Sequence, residues 1–399
     1  MFTFLLPSSN CQTANESNIA VILPESGKYA DRGEDMKASI ILATEKNLEK
    51  LKQPIQLTYF DNYSLPDSAD NIALRIALDP DFIGIIAGYP SSCAYQTMII
   101  SEQSQIPYLI VSSSADSLTN RRLDYTFRLA PLSGDYNDGL VSWAATNARE
   151  GSLISVLHDG EIHSLSAVSD IRSDLQKRWR GKVEFSQYEK GQEIFDNLIV
   201  AQDKLKPDII WLIGSTSDAS RFLKQCRRKD WSPMAFVFGT IKMVNNRIIS
   251  LSDGAADFVF GPSVWSADEP YPLIDDFSDS YFEKTGELPG YHAAESFAGV
   301  EVLASALSKC ESYTRENLRR QLAATNIITV FGKVRFDNFR SFRNQNRSQS
   351  VCVQLLDDKW QSVWPRELAK SRYVYPAPDW RERKRTNNVD NTNPLLYIM

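Results

Sequence analysis

The chain has 399 residues, 43% of them hydrophobic and 24% charged, with a formal net charge of −6. Single hydrophobic cores stop growing at roughly 250–300 residues, so two domains are expected. The acidic balance argues against nucleic acid, which calls for a basic face. No window reaches the ~20 continuous apolar residues of a membrane-spanning helix.

Residues 1–17 read as a leader. "MFTFLLPSSNC" holds a short apolar stretch with no Lys or Arg before it, so it is incomplete as an export signal. Cys11 stands where a lipoprotein processing site would put its cysteine, although Asn10 is unusual just before one. A truncated export signal and a plain leader ahead of the first strand both stay open. The other cysteines, Cys93, Cys226, Cys310 and Cys352, form no CxxC pair and no Cys/His cluster, so they read as small buried hydrophobes.

In chain order, "IAVIL" (19–23) predicts a strand and the stretch through Met36, Ile40, Ile41 and Leu48 a helix. "IQLTYF" (55–60) is followed by a helix from Pro66, with Pro and Asp suited to a first turn. "FIGIIAG" (82–88), a helix over 94–104 and "PYLIV" (107–111) complete a first set. "FRLAPLSGDYNDG" (127–139) reads as a crossing between lobes. The pattern then restarts with strands at 153–157, 182–188, 208–214 and 235–239, and helices at 164–179, 193–205 and 217–229. Two longer helices are expected at 271–285 and 291–308. "GKVRFD" and "SVCVQLLDDKWQSVWP" read as returning strands, and 366–399 as a polar, loosely attached tail. Strands that are apolar throughout, alternating with helices, mean βαβ units with parallel sheets buried on both faces. The fold class is therefore α/β, with two doubly wound parallel-sheet lobes. The lobes are drawn as 18–134 plus 265–344 and 135–264 plus 345–365.

Three strands end in small hydroxyls. "IIAG" runs into Tyr89-Pro90-Ser91-Ser92, "LIV" into Ser112-Ser113-Ser114, and "WLIG" into Ser215-Thr216-Ser217. Ligands of open parallel sheets bind outside the carboxyl ends of the strands, and hydroxyls with helix N-terminal amides suit an anion such as a carboxylate. Ser92, Ser113 and Thr216 read equally well as helix caps; the two roles are compatible.

Metal and enzyme readings are weaker. "HDGEIH" gathers His158, Asp159, Glu161 and His163, but on a strand end alternate residues point opposite ways and cannot converge. No GxSxG elbow, P-loop or GxGxxG fingerprint occurs, and the chain has three histidines in all. No cofactor, metal or catalytic residue is expected.

The ordered series "IAVILPESGKYADRGEDMKASIILA", "GYPSSCA", "IPYLIVSSSADSLT", "YTFRLAPLSGDYNDG", "VLHDGEIHS", "PDIIWLIGSTSDASRFLKQCR" and "FGKVRFD" resembles the type I periplasmic binding proteins, on their leucine/isoleucine/valine-binding branch. The resemblance spans residues 18 to 365. It implies two lobes joined by three crossings, which close on a ligand as a hinged clamp does. Carried over position by position, it implies that Ser91, with Ser92 beside it, and Ser112 and Ser114 hold a ligand carboxylate. His163 and Ser215 stand at the aromatic positions of the second lobe, and Arg32 near that of the first. The acid that pairs with an α-ammonium falls on Ile241, which cannot neutralise a charge; Asp159 is the available substitute. The cysteine pair of some members is replaced by Ser64 and Pro90.

The expectation is a non-enzymatic binder of a small polar solute: an amino acid, amide or small carboxylate. It would be the substrate-binding component of an ABC-type transporter, partnered by a membrane permease and not itself membrane-spanning. Its place would be periplasmic or lipid-anchored outside the cytoplasmic membrane. A ligand-sensing regulator and a degenerate scaffold on the same clamp remain the alternatives.

Overall fold

The structure, a computed structural model, describes residues 17–48, 51, 53–147, 149 and 151–386, with side chains as far as Arg383. The leader with Cys11, and residues 387–399 of the expected tail, lie outside the described residues. Contacts divide the chain into two α/β units. The first comprises the described residues up to Ala130, Glu295–Ile327 and Val334–Asn346; the second comprises Pro131–Ala294, Ile328–Lys333 and the described residues from Arg347. The segment 265–294 thus groups with the second unit.

In the first unit, strands β1 (Ser17–Leu23), β2 (Ile55–Asp61), β3 (Phe82–Ala87), β4 (Tyr108–Ile110) and β5 (Thr126–Arg128) alternate with helices α1 (Ala30–Asn47), α2 (Pro66–Leu78) and α3 (Ser91–Gln103). All neighbouring pairs in the order β2-β1-β3-β4-β5 are parallel. In the second, β6 (Leu153–His158), β7 (Lys182–Gln187), β8 (Ile209–Ile213), β9 (Ala235–Phe238) and β10 (Phe260–Ser263) repeat the arrangement. There the parallel order is β7-β6-β8-β9-β10. Their helices are α4 (Asp138–Asn147), α5 (Ile162–Arg178), α6 (Asp196–Leu205), α7 (Thr216–Arg228) and α8 (Arg247–Ser252).

Helices α9 (Ile274–Thr285), α10 (Tyr291–Ser308) and α11 (Arg315–Ala323) follow. Strands β11 (Asn326–Thr329), β12 (Gly332–Phe339) and β13 (Phe342–Asn346) then extend the first sheet beyond β5. β14 (Val351–Leu356) and β15 (Lys359–Trp364) add antiparallel to the second beyond β10.

The strands follow the apolar runs because a strand covered on both faces buries every side chain; all six residues of β3 are buried. α2 starts where Pro66 fixes the first turn. Asp357 and Asp358, both at positive φ (50° and 58°), turn β14 into β15, a backbone that suits a tight hairpin. Elements that the patterning does not single out are short or punctuated. β5 is three residues long and ends in a buried arginine. β10 contains Gly261 and Pro262, residues that argue against an inner strand; Pro262 lies two positions beyond the Phe260–Val237 pair that joins β10 to β9.

The expectation of a loosely attached tail from 366 is corrected. Leu368, Ala377, Trp380 and Arg383 are buried, and a last helix, α12 (Trp380–Thr386), packs on the second unit. The Trp380 indole donates to Trp231 O (2.8 Å), Ala377 N to Met234 O (2.7 Å), and Gln354 exchanges bonds with Val374 N and O (2.9 Å each). Arg383 stacks on Trp380 (3.8 Å) and donates to Asp257 O (3.1 Å). The run of charges hides a spaced set of aromatic and apolar anchors, and these decide the outcome. Among the described residues no helix is long and apolar enough to cross a membrane.

Candidate functional site

Both sheets reverse their direction of growth after their second strand, so the third lies on the other side of the first, at β1/β3 and at β6/β8. A crevice opens at such a switch point because the flanking loops leave to opposite faces. The groups of interest lie at the carboxyl ends of strands at or next to these two points.

In the first unit β3 ends in Ala87 and Gly88. Gly88 has φ +82, and a Cβ there would lie 2.2 Å from the Tyr108 hydroxyl, so the turn requires glycine. Tyr89 follows, packed edge-on against Tyr29 at 5.5 Å, and Asn62 Nδ2 donates to Tyr89 O (2.9 Å). Ser91 is half-buried and opens α3, whose first turn carries no acid; Ser92 is exposed beside it. Neither caps α3 through its side chain.

Beyond β4, the three serines differ in what they do. Ser112 is buried, and its hydroxyl hydrogen-bonds the carboxyl of Glu295. Ser113 is buried and donates to Gly88 O (2.9 Å), so it ties the end of β4 to the turn after β3 rather than capping a helix. Ser114 is half-buried. Arg32 is exposed and pairs with Asp35 one turn along α1 (3.3 Å).

Glu295, Tyr29 and Tyr89 were not singled out from the sequence. Glu295 sits on α10 within nine consecutive buried residues, 292–300. Burial pushes its carboxyl up to about 8, against the opposing effects of the Ser112 bond and the Arg128 charge. An acid in the apolar run "YHAAESFAGVEVLASAL" was the available signal. Arg128 is itself fully buried and held by Gln345 Oε1 and Ala115 O (2.5 Å each).

In the second unit Asp159, at the end of β6, is buried and accepts from Glu161 N (3.1 Å). His163 lies exposed in the first turn of α5. Ser215 is the N-cap of α7, accepting from Asp218 N (3.0 Å); the cap is therefore Ser215 and not Thr216. Tyr188, beyond β7, sits over Gly214, where a Cβ would come within 2.1 Å of its hydroxyl. Burial raises the Tyr188 phenol, and the Asp218 and Asp159 charges add to the effect. Ile241 is half-buried in the turn after β9 and brings no charge. His158 is buried and its imidazole is shifted down by burial. The structure thus brings Asp159 and Ser215 to adjacent strand ends, with Tyr188 beside them, and leaves His163 on an outer helix turn. Among the described residues no three His, Cys, Asp or Glu side chains are placed to hold a metal ion.

The periplasmic binding protein family model matches residues 16–357. The chain is 22% identical over 322 residues to a Leu/Ile/Val-binding protein homolog 7 of Brucella melitensis, covering 76% of this chain and 79% of that one. In fold it is similar to an ABC transporter substrate-binding protein from Sphaerobacter thermophilus. That match has a TM-score of 0.72 and 20% identity, covering 92% of this chain and 98% of the other. It is also similar to the branched-chain amino acid transporter substrate binding protein LivJ of Streptococcus pneumoniae, in complex with isoleucine. There the TM-score is 0.67 with 15% identity, covering 90% and 100%. With its two switch-point sheets and a match over most of its length, this chain belongs to the periplasmic binding protein family, type I, on the Leu/Ile/Val-binding-like branch.

Proposed function

We propose that this protein is a non-enzymatic solute-binding component of an ABC-type transporter, working outside the cytoplasmic membrane with a membrane permease. Its ligand is a small molecule with a carboxylate or amide. Ser91 with Ser92, and Ser112 with Ser114, are the groups assigned to that end of the ligand. The observation that carries this reading is the placement of hydroxyls at the ends of β3, which flanks the switch point, and of its neighbour β4, with the N-terminus of α3 carrying no side-chain cap. The isoleucine of the pneumococcal relative supports a carboxylate.

In the second unit no acid stands at position 241. With Ile241 in place of an acid, Asp159 is the acid proposed for an α-ammonium, with Ser215 and His163 as further contacts, while Arg32 on α1 is proposed for an anionic group. A small carboxylate without an ammonium therefore fits better than a standard amino acid, since an unpaired buried charge is costly. The absence of an acid at position 241 is the observation that favours a degenerate, scaffolding clamp as the second reading.

A thermal-shift screen of carboxylates, amides and amino acids tests the proposal. A ligand at 100 times its dissociation constant adds about 2.7 kcal/mol to the native state, a rise of a few degrees in a protein of this size. A carboxylate hit lost in the Ser112→Ala/Ser114→Ala double variant is the expected result. Unchanged affinity in that variant, measured by calorimetry, removes the serine assignment; silence across the panel, with a cooperative melt, points to a ligand outside these classes or to a clamp that no longer binds.

A further inference from the structure

A carboxyl group stands directly behind the hydroxyl assigned to the ligand. Glu295 is fully buried, and Ser112 Oγ is hydrogen-bonded to its Oε2. Other groups act on it from neighbouring elements. Arg128 acts on it from β5, and Tyr89, after β3, feels its charge. On its own helix His292 stands one turn earlier, its ring tilted against that of Tyr291 with centroids 4.1 Å apart.

A serine hydroxyl has one proton. An ionised Glu295 is an acceptor only, so it takes that proton and leaves Ser112 to present lone pairs to whatever lies in front of it. A neutral Glu295 can donate to Ser112 Oγ instead, and the serine proton is then available to a ligand oxygen.

We propose that Glu295 is a positioning residue that sets the hydrogen-bond polarity of Ser112 and thereby the ligand class. Neutral, it turns the Ser112 proton towards an anionic oxygen; ionised, it withdraws the proton and the site rejects that anion. The inference rests on the serine-site reading above. Burial favours the neutral form at pH 7, because the Glu295 carboxyl is pushed up to about 8. A proton lost by Glu295 above that pH goes to solvent, and the ligand anion keeps its own charge throughout. The same burial makes stability fall as pH rises from the ordinary 4.5 of a glutamate through about 8, since the raised group binds its proton more tightly folded than unfolded.

The experiment is calorimetry with benzoate and with 4-methylpentanoate, carboxylates whose own charge is constant from about pH 6 to about 9.5, on the full chain and on Glu295→Gln. The glutamine amide donates to Ser112 as the neutral acid does and cannot ionise. Affinity of the wild type is expected to be level up to about pH 8 and then to fall about tenfold per pH unit; Glu295→Gln is expected to show no such fall. Carbon-13 titration of Glu295 in the ligand-free protein, compared with Ser112→Ala, supplies a reading that needs neither a ligand nor a folded Gln variant. The Ser112 bond lowers this pKa, so its loss is expected to move the titration upwards. Carboxylate binding that is level across the whole range in the wild type, an equal fall in Glu295→Gln, or a Glu295 already ionised at pH 6 overturns the inference alone. No binding of either carboxylate at any pH overturns the carboxylate reading, and the inference with it.

Discussion

Ser113 shows how far a side chain's role depends on what the fold sets beside it. In sequence it is the middle of three equal hydroxyls; in the structure it is buried and bonded to Gly88 O, 25 positions earlier. Ser113→Ala leaves that carbonyl short of a donor and is expected to cost about 1 kcal/mol, read from the urea midpoint. Because Ser113 joins two turns and is not assigned to the ligand, calorimetry is expected to find the same affinity as in the wild type. At the same scale, Ser112 was legible as a candidate but its partner was not. Glu295 lies 183 positions away on a helix whose composition reads as plain core. Arg32, which the sequence offers to a ligand, is exposed and pairs with Asp35 on its own helix.

Helix α7 places the same ambiguity at the level of an element. Ser215 accepts from Asp218 N and so satisfies one of the amides that the first turn leaves open. Ser215→Ala is expected to cost about 1 kcal/mol of stability, while Ser215→Asn keeps a cap and costs a few tenths at most. If Ser215 serves the ligand as well, both variants weaken binding although only the alanine lowers the melting temperature. Equal affinity in both would make it a cap and nothing more. Most regular elements were legible because a doubly covered strand needs an unbroken apolar run and its helices need a 3.6-residue stripe. β5, β10, β11, β13, α4, α8, α11 and α12 were not, because strands of three to five residues and helices of six to ten carry few positions for a period to show. α4 begins at Asp138, at the very end of the stretch "FRLAPLSGDYNDG" read as a crossing.

For the molecule as a whole, the segment from 366 to 386 changes what the second unit is. Trp380 packs on Phe236 at 6.1 Å, and its cluster includes Phe222, Leu223 and Cys226 of α7. Ending the chain at Pro365 removes Leu368, Ala377, Trp380 and Arg383 from the buried set. Losing one buried Trp side chain alone costs about 3–5 kcal/mol, so the truncated protein is expected to melt well below the full chain. Hydrogen exchange is expected to show the loss in β9, which lies under the segment, before it reaches β1 and β3. A truncated protein with an unchanged melt would show the segment to be dispensable.

The sequence by itself determined the alternation of strand and helix, the parallel sheets and the hydroxyls at the strand ends. Each of these is a local property, set by which residues are apolar, how they are spaced and where the runs stop. Only the tertiary structure decided which hydroxyl faces a buried acid, which one ties two turns together and which one caps a helix. It also decided that a charged tail docks through its few aromatic residues. Those outcomes depend on groups brought together across scores of residues, and on the dielectric that burial creates around them, which no local pattern encodes.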